Sequence, residues 1–404
     1  MAVNLAPVTE LFAVPGVRIG TALAGIKQQE RADIALFDFV EGTAVGGVYT
    51  QSHFAAAPVL LARERQGEAS CWVINSGNAN AATGAPGRDD AEVVCAHAAR
   101  LLQKNALSVQ PFSTGVIGER LPVAGMQTAL EAAYTDLDED GWVAAAQAIM
   151  TTDTVPKGGS RRIDLDGHTV TLTGIAKGSG MIKPNMATML AYMASDAAVA
   201  LDVVQALVDE AVGGSFNRIT VDGDTSTNDC FMLACTGIAT HPYIDSTAHP
   251  LYSALRDAVS DLALELAQAL VRDGEGATKF VTVTVSGAAS DADALAVAYT
   301  IAESPLIKTA LFAGDANWGR FCMAIGRAPI AHLDVSGVAL WLDDVQVAEV
   351  GLIADAYNEA DGAAVLARDE FTIRVDLGAG DGCETVWTTD LSYDYVRINA
   401  EYRT

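Results

Sequence analysis

The run Lys177-Gly-Ser-Gly-Met-Ile-Lys-Pro-Asn-Met-Ala-Thr-Met-Leu190 decides how this chain reads. Just upstream, Thr169–Ile175 has the apolar, β-branched character of a strand. Gly178, Gly180 and Pro184 then impose a shaped, irregular backbone, and the chain passes straight into Ala187-Thr188-Met189-Leu190. A threonine hydroxyl needs a base to act as a nucleophile, and the chain carries no Ser/His/Asp signature, no GxSxG elbow and no reactive-cysteine pattern. If the bond before Thr188 is cut, the new α-amine serves as base for its own hydroxyl. Its ordinary pKa of about 7.7–8.0 leaves a useful neutral fraction near pH 7. By itself the pattern is weak, because a threonine in an apolar run is usually just a strand residue.

Outward from this stretch, the 404-residue length fits two domains or one large intertwined one. Half of the residues are apolar and 19% charged, a composition that buries a core rather than staying disordered. The richest apolar stretch, 251 to 271, is broken by Arg256, Asp257, Asp261 and Glu265, so no membrane span is expected. The N-terminus has no export pattern, and the six cysteines form no CxxC pair, so a reduced, cytoplasmic protein is expected. The dispersed histidines form no HExxH or Cys/His cluster, so no metal is expected. A formal charge of −26 repels phosphate backbones and argues against nucleic acid as a partner.

Strand-like runs fall at Ile34–Phe39, Cys71–Asn75, Thr169–Ile175, Phe280–Ser286 and Tyr395–Asn399. In the fourth, Val281, Val283 and Val285 alternate with threonines, as in a strand with one buried face. Helix-like runs cover Asp89–Lys104, Trp142–Met150, Ala200–Val212, Ala254–Val271 and Asp291–Glu303, the last opening on Ser290 with Asp293 three residues on, close to a capping box. These elements mix in blocks rather than in regular βαβ units, so the expected fold class is α/β in the sense of α+β layers.

The run 177–190 resembles the cleavage and nucleophile segment of the ornithine acetyltransferase family, the bifunctional glutamate N-acetyltransferase/amino-acid acetyltransferases of arginine biosynthesis. Further segments match in the same order: Phe112-Ser-Thr-Gly-Val-Ile-Gly118, Val221-Asp-Gly-Asp-Thr-Ser-Thr-Asn-Asp229, Arg272-Asp-Gly-Glu-Gly-Ala-Thr-Lys279 and the terminal Arg397-Ile-Asn-Ala-Glu-Tyr-Arg-Thr404. With Pro15-Gly-Val-Arg-Ile-Gly20, the resemblance covers essentially the whole chain.

The resemblance implies stacked α-β-β-α layers like those of N-terminal-nucleophile proteins, with different connectivity. It implies self-cleavage between Ala187 and Thr188 into an α chain, 1–187, and an intertwined β chain, 188–404, assembled as a tetramer of two of each. Thr188 would take the acetyl group of N-acetyl-L-ornithine and pass it to L-glutamate without a cofactor, with acetyl-CoA a donor in some members. The oxyanion hole maps onto Thr114 and Gly115, and substrate contacts onto Thr151 in preference to Thr152, Lys177, Glu275, Asn399 and Thr404. Read from their own surroundings, the same residues are a Ser-Thr-Gly turn, a capping turn, a solvated lysine, a loop carboxylate and a frayed terminus. Lys157 and Lys183 compete with Lys177 for its role, and Glu275 is expected to meet the ornithine ammonium.

Asp222–Asp229 lacks EF-hand spacing and the P-loop lysine and reads as a buried hydrogen-bonding loop. Asn75-Ser-Gly-Asn-Ala-Asn80 reads as a turn cluster, and Asn317-Trp-Gly-Arg320 as packing. Two rival functions remain: a self-processed amidase or aminopeptidase, with water as the acceptor, and a non-catalytic binding protein.

Overall fold

A computed structural model of the chain describes residues 2–27, 31–183 and 189–401. The chain folds into two compact units, a larger one of Pro7–Asn217 with Asp224–Leu270 and a smaller one of Met1–Ala6, Arg218–Gly223 and Val271–Thr404.

The larger unit carries strands β1 (Val17–Ala22), β2 (Ile34–Phe39), β3 (Ala44–Tyr49), β4 (Cys71–Asn78), β5 (Val109–Val116), β6 (Lys157–Leu165), β7 (His168–Lys177), β8 (Leu190–Ser195) and β9 (Cys230–Cys235). Its helices are α1 (Ala57–Glu64), α2 (Gly84–Leu102), α3 (Val123–Thr135), α4 (Trp142–Ala148), α5 (Leu201–Gly214) and α6 (Tyr252–Arg272), which ends just beyond it. A four-stranded sheet runs β1-β2-β4-β5 and a five-stranded sheet runs β3-β9-β8-β7-β6. The pairs β4/β5 and β8/β9 are parallel, each with a helix in its connection, so the blocks inferred from the sequence do contain βαβ crossovers.

The two sheets pack face to face. Phe37, Trp72 and Phe112 of the first meet Ile175, Tyr192 and Met232 of the second in one buried cluster. Tyr192 stacks edge-on to Phe112 at 5.2 Å and lies 5.4 Å from Trp72. Contacts of this kind add about 0.5–1.5 kcal/mol each beyond the area they bury. Alternation sends Ile34, Leu36, Val73 and Val109 to the opposite face of the first sheet, against Ala91, Val94 and Cys95 of α2 and Met126 and Leu130 of α3. On the outer face of the second sheet, Gly46 admits Val204 of α5 and Gly174 admits Leu266 of α6. The expected α-β-β-α stack is this unit.

Strand β8 follows Thr188 in sequence, yet it lies between β7, which precedes that residue, and β9, which follows it. A cut before Thr188 would leave two chains sharing one hydrogen-bonded sheet.

The smaller unit holds a six-stranded sheet formed by β10 (Phe280–Ala288), β11 (Ala339–Leu342), β12 (Val345–Glu349), β13 (Leu352–Ile353), β14 (Glu370–Asp376) and β15 (Gly382–Thr389), in the order β13-β12-β11-β14-β10-β15. Val281, Val283 and Val285 are fully buried, as their alternation with threonines requires. They pack with α7 (Asp291–Ala302), α8 (Pro305–Ala313), α9 (Trp318–Gly326) and α10 (Glu359–Leu366). Ser290 caps α7 by accepting from the Asp293 N–H, and Asn317 caps α9 through the Arg320 N–H. The sequence reading names only β10 of this sheet: β11, β12 and β13 span four, five and two residues, whereas β14 buries Phe371, Ile373 and Val375 in the same alternation as β10.

The expected strand Tyr395–Asn399 is a helix, α11 (Tyr393–Ala400). Ser392 accepts from the Tyr395 N–H and Asp394 sits in the first turn, so the cap overrides the β propensity of Tyr, Val and Ile. Among the described residues no single helix is long and apolar enough to cross a membrane.

Candidate functional site

Two motifs far apart in sequence meet where the strands of the larger unit end. Thr114 lies near the end of β5 and Lys177 is the last residue of β7. The Lys177 ammonium donates to Thr114 Oγ1 at 3.1 Å, with both residues 8% exposed. Lys177 pairs with Leu190, the first residue of β8, so the two strands are the arms of a hairpin whose connection contains the run quoted at the outset. Ala187, Thr188 and Thr404 lie outside the described residues.

Gly115 has φ +129, and a Cβ there would sit 2.3 Å from the Gly77 carbonyl carbon. Only glycine fits, because β4 approaches through a bulge in which Asn78 pairs with both Thr114 and Val116. The Asn75–Asn80 cluster is therefore more than a turn. Ser113 Oγ donates to Asn75 Oδ1 (2.6 Å), Asn75 Nδ2 to the Asn78 carbonyl (2.8 Å), and the Asn80 N–H to Asn78 Oδ1 (2.8 Å). From the loop that leads into β9, Asn228 Nδ2 donates to the carbonyls of Ser113 (2.9 Å) and Ala79 (2.6 Å). These bonds hold Ser113, just before Thr114, and the Ala79 N–H donates to the Val116 carbonyl (2.9 Å) just beyond it. The run 222–229 is buried only at this end, since Asp224 and Thr225 are exposed.

Asp153 ties a second turn to the same place. Its Oδ2 accepts from the Thr151 N–H (2.8 Å), and its Oδ1 from the Gly178 N–H (2.7 Å) and from Lys157 Nζ (2.6 Å). Thr152 Oγ1 and Ser179 Oγ lie 2.8 Å apart. Burial opposes the charge on Asp153, but the Lys157 and Lys177 cations and the donors to it hold its carboxyl well below the usual range. Lys157, an alternative to Lys177 by sequence, is committed to this buried ion pair.

Sequence reasoning missed two groups here. Lys27 donates to the carbonyls of Ala148 and Met150, where α4 leads into Thr151, and Arg31 also reaches Met150. Burial, with the nearby charges of Arg31 and Lys177, pulls the Lys27 ammonium down to about 7 against the pull of Asp33 and Asp153. Asp229 precedes Cys230, whose N–H donates to the Met189 carbonyl at 2.9 Å. Burial pushes its carboxyl well above the usual range, and its Oδ2 has no partner among the described residues. Its place within an oxygen-rich motif was the only signal in the sequence.

In the smaller unit the structure joins Glu275 and Asn399, whose Nδ2 donates to Glu275 Oε2 at 2.8 Å. Glu275 is only 8% exposed, unlike an ordinary loop carboxylate. Asp390 shapes its loop by accepting from the N–H groups of Thr278 (2.8 Å) and Lys279 (3.0 Å) and from Thr278 Oγ1 (2.6 Å). Ser392 Oγ donates to the Gly276 carbonyl at 2.6 Å. Lys308, also missed, donates to Thr388 Oγ1 and to the Thr389 carbonyl just before Asp390. Its burial lowers that ammonium to about 8.

A layered α-β-β-α scaffold with a buried lysine and threonine at its strand ends places the chain among α/β enzymes of the stacked-sandwich class. Residues 18–404 match the model of the ArgJ family, and the chain belongs to that family. It is 54% identical over the full length of both chains to the arginine biosynthesis bifunctional protein ArgJ of Pseudomonas syringae pv. tomato. Its identity to the protein of the same name from Pseudomonas fluorescens is 53%, again over the full length of both. The crystal structure of the corresponding protein from Bacillus halodurans superposes with a TM-score of 0.51 at 37% identity, covering 53% of this chain and all of that one.

Proposed function

We propose that this protein transfers the acetyl group of N2-acetyl-L-ornithine to L-glutamate, giving L-ornithine and N-acetyl-L-glutamate for arginine biosynthesis, through an ester on Thr188. Thr188 Oγ attacks the acetyl carbonyl while its own α-amine takes the hydroxyl proton. Thr114 and Gly115 stabilise the oxyanion, the proton passes to the departing ornithine amine, and the ester remains. Glutamate then attacks the ester and restores the free hydroxyl. The ester stores the acyl group, so the reaction calls for no cofactor.

The observation that carries this reading is the buried Lys177–Thr114 contact at the mouth of the hairpin that connects to Thr188. Lys177 supplies a charge for the α-carboxylate shared by both substrates, with Thr151 beside it. Glu275, held by Asn399, meets the ornithine ammonium, and Thr404 completes the substrate contacts. The relatives are named bifunctional, which supports acetyl-CoA as a second acetyl donor to glutamate.

Before any transfer the chain cuts itself between Ala187 and Thr188. The Bacillus halodurans chain matches 53% of this one over its whole length, close to the 217 residues from Thr188 onward, which supports a two-chain product. The α chain 1–187 and β chain 188–404 stay together because both supply strands to the five-stranded sheet. Two of each form a tetramer that works in the cytoplasm.

Denaturing mass spectrometry tests the proposal. Wild-type protein should give chains of 187 and 217 residues, and Thr188→Ala should stay whole. An intact wild type that still transfers acetyl groups overturns the N-terminal-nucleophile mechanism.

A further inference from the structure

We infer that Asp153 is a positioning residue for acetyl transfer: one buried carboxylate sets the Thr151–Thr152 turn and the end of β7 in a single arrangement. The inference rests on the substrate roles proposed above for Thr151 and Lys177.

The β6/β7 pairing, which begins at Lys157 and Ala176, brings the two segments close but stops short of both Thr151 and Gly178. The turn follows α4, whereas Lys177 and Gly178 close a strand more than twenty residues later. Asp153 spans the gap with both oxygens, taking the Thr151 N–H on one and the Gly178 N–H on the other. Hydrogen bonds from backbone N–H to an ionised carboxylate are shorter and stronger than neutral ones, so this bridge is stiff. The Thr152–Ser179 hydroxyl contact repeats the link one residue further along each segment. Lys177 lies between Gly178 and the Thr114 contact, so a displaced Gly178 would carry the lysine with it.

A buried carboxylate needs compensating charge, and Lys157 supplies it. A purely structural ion pair and a positioning carboxylate therefore make different predictions. Restoring electrical balance without the carboxylate rescues the first and not the second.

The test compares Asp153→Asn, Lys157→Met and the double variant by thermal unfolding, by time-resolved self-cleavage, and by the kinetics of the acetylornithine half-reaction on fully cleaved protein. Asp153→Asn leaves Lys157 buried without its carboxylate and should lower Tm. An asparagine has one acceptor oxygen, and its amide presents N–H groups to donors, so it cannot serve both backbone positions. The double variant removes both charges and should recover most of the lost Tm. It should still cleave more slowly than wild type and show a KM for acetylornithine raised about tenfold, with kcat within about threefold, because the lost interaction binds substrate and transition state alike. Lys157→Met keeps both backbone bonds to Asp153 and should hold its KM within about twofold of wild type while losing Tm. A double variant with wild-type KM and cleavage rate, beside an active wild type, overturns the role of Asp153 alone. A wild type that neither cleaves nor transfers acetyl groups overturns the proposed function instead, and this inference with it.

Discussion

Gly115→Ala probes the closest backbone approach in the candidate site. The new Cβ would lie 2.3 Å from Gly77 C, 2.6 Å from Gly77 O and 2.7 Å from Asn78 N, whereas ordinary contact begins near 3.4 Å. All three are backbone atoms, so no side chain can swing away, and β4 and β5 must part by about 1 Å at strands spaced about 4.8 Å apart. Alanine at φ +129 adds strain of about 1–3 kcal/mol. Overpacking adds another ~1–3 kcal/mol. The expected loss is therefore about 2–6 kcal/mol, a large share of the ~5–15 kcal/mol that holds a domain folded. Gly118→Ala is the matched control: it also has positive φ, +93, but a Cβ there meets nothing within 4 Å. It should cost only the strain, about 1–3 kcal/mol. Moving the Thr114–Gly115 backbone by about 1 Å should also lower kcat by about 10²–10³-fold if it lines the oxyanion hole. Thermal unfolding and acetyl transfer should be measured on both variants at a temperature where each is folded. Equal kcat for the two would refute the oxyanion assignment, and equal Tm would refute the packing argument.

Acetyl transfer through a Thr188 ester should follow ping-pong kinetics, with parallel double-reciprocal lines for acetylornithine and glutamate; intersecting lines, with no acetyl mass on the 188–404 chain, would point to direct transfer. Glu275→Gln keeps an oxygen for Asn399 but removes the charge, so the KM for acetylornithine should rise roughly tenfold and that for glutamate much less. Equal losses for both substrates would mean that Glu275 only shapes its loop. Lys27 holds its proton less tightly when folded, at about 7, than at its ordinary 10.5. Between those values the unfolded chain binds the extra proton, so this residue makes stability rise with pH across that window. Lys27→Met should reduce the gain in urea midpoint between about pH 7 and pH 9, and an unchanged gain refutes the shifted lysine.

The sequence by itself determined the parts that depend on local pattern. Val281, Val283 and Val285 alternate, and β10 is buried on that face. Ser290 precedes an apolar periodic run, and it caps α7. The run 177–190 and its companion segments suggested the family, because a contiguous pattern around an unusual chemical site is specific without any coordinates.

Tertiary structure decided what those patterns could not reach. Tyr395–Asn399 has strand-like residues, but Ser392 both caps them as a helix and bonds the distant Gly276 carbonyl, while Asn399 holds Glu275. The resemblance favours Lys177, but the residues alone leave Lys157 able to replace it; burial gives Lys157 to Asp153 and Lys177 to Thr114. Asn75, Asn78 and Asn228 resembled ordinary loop residues until the sheets brought them around Ser113 and Thr114. The Lys177–Thr114 and Asn228–Ser113 contacts join residues 63 and 115 positions apart, which no local pattern reports. Burial then fixes the pairing, because a polar group taken out of water must find a partner or bear the full cost of desolvation.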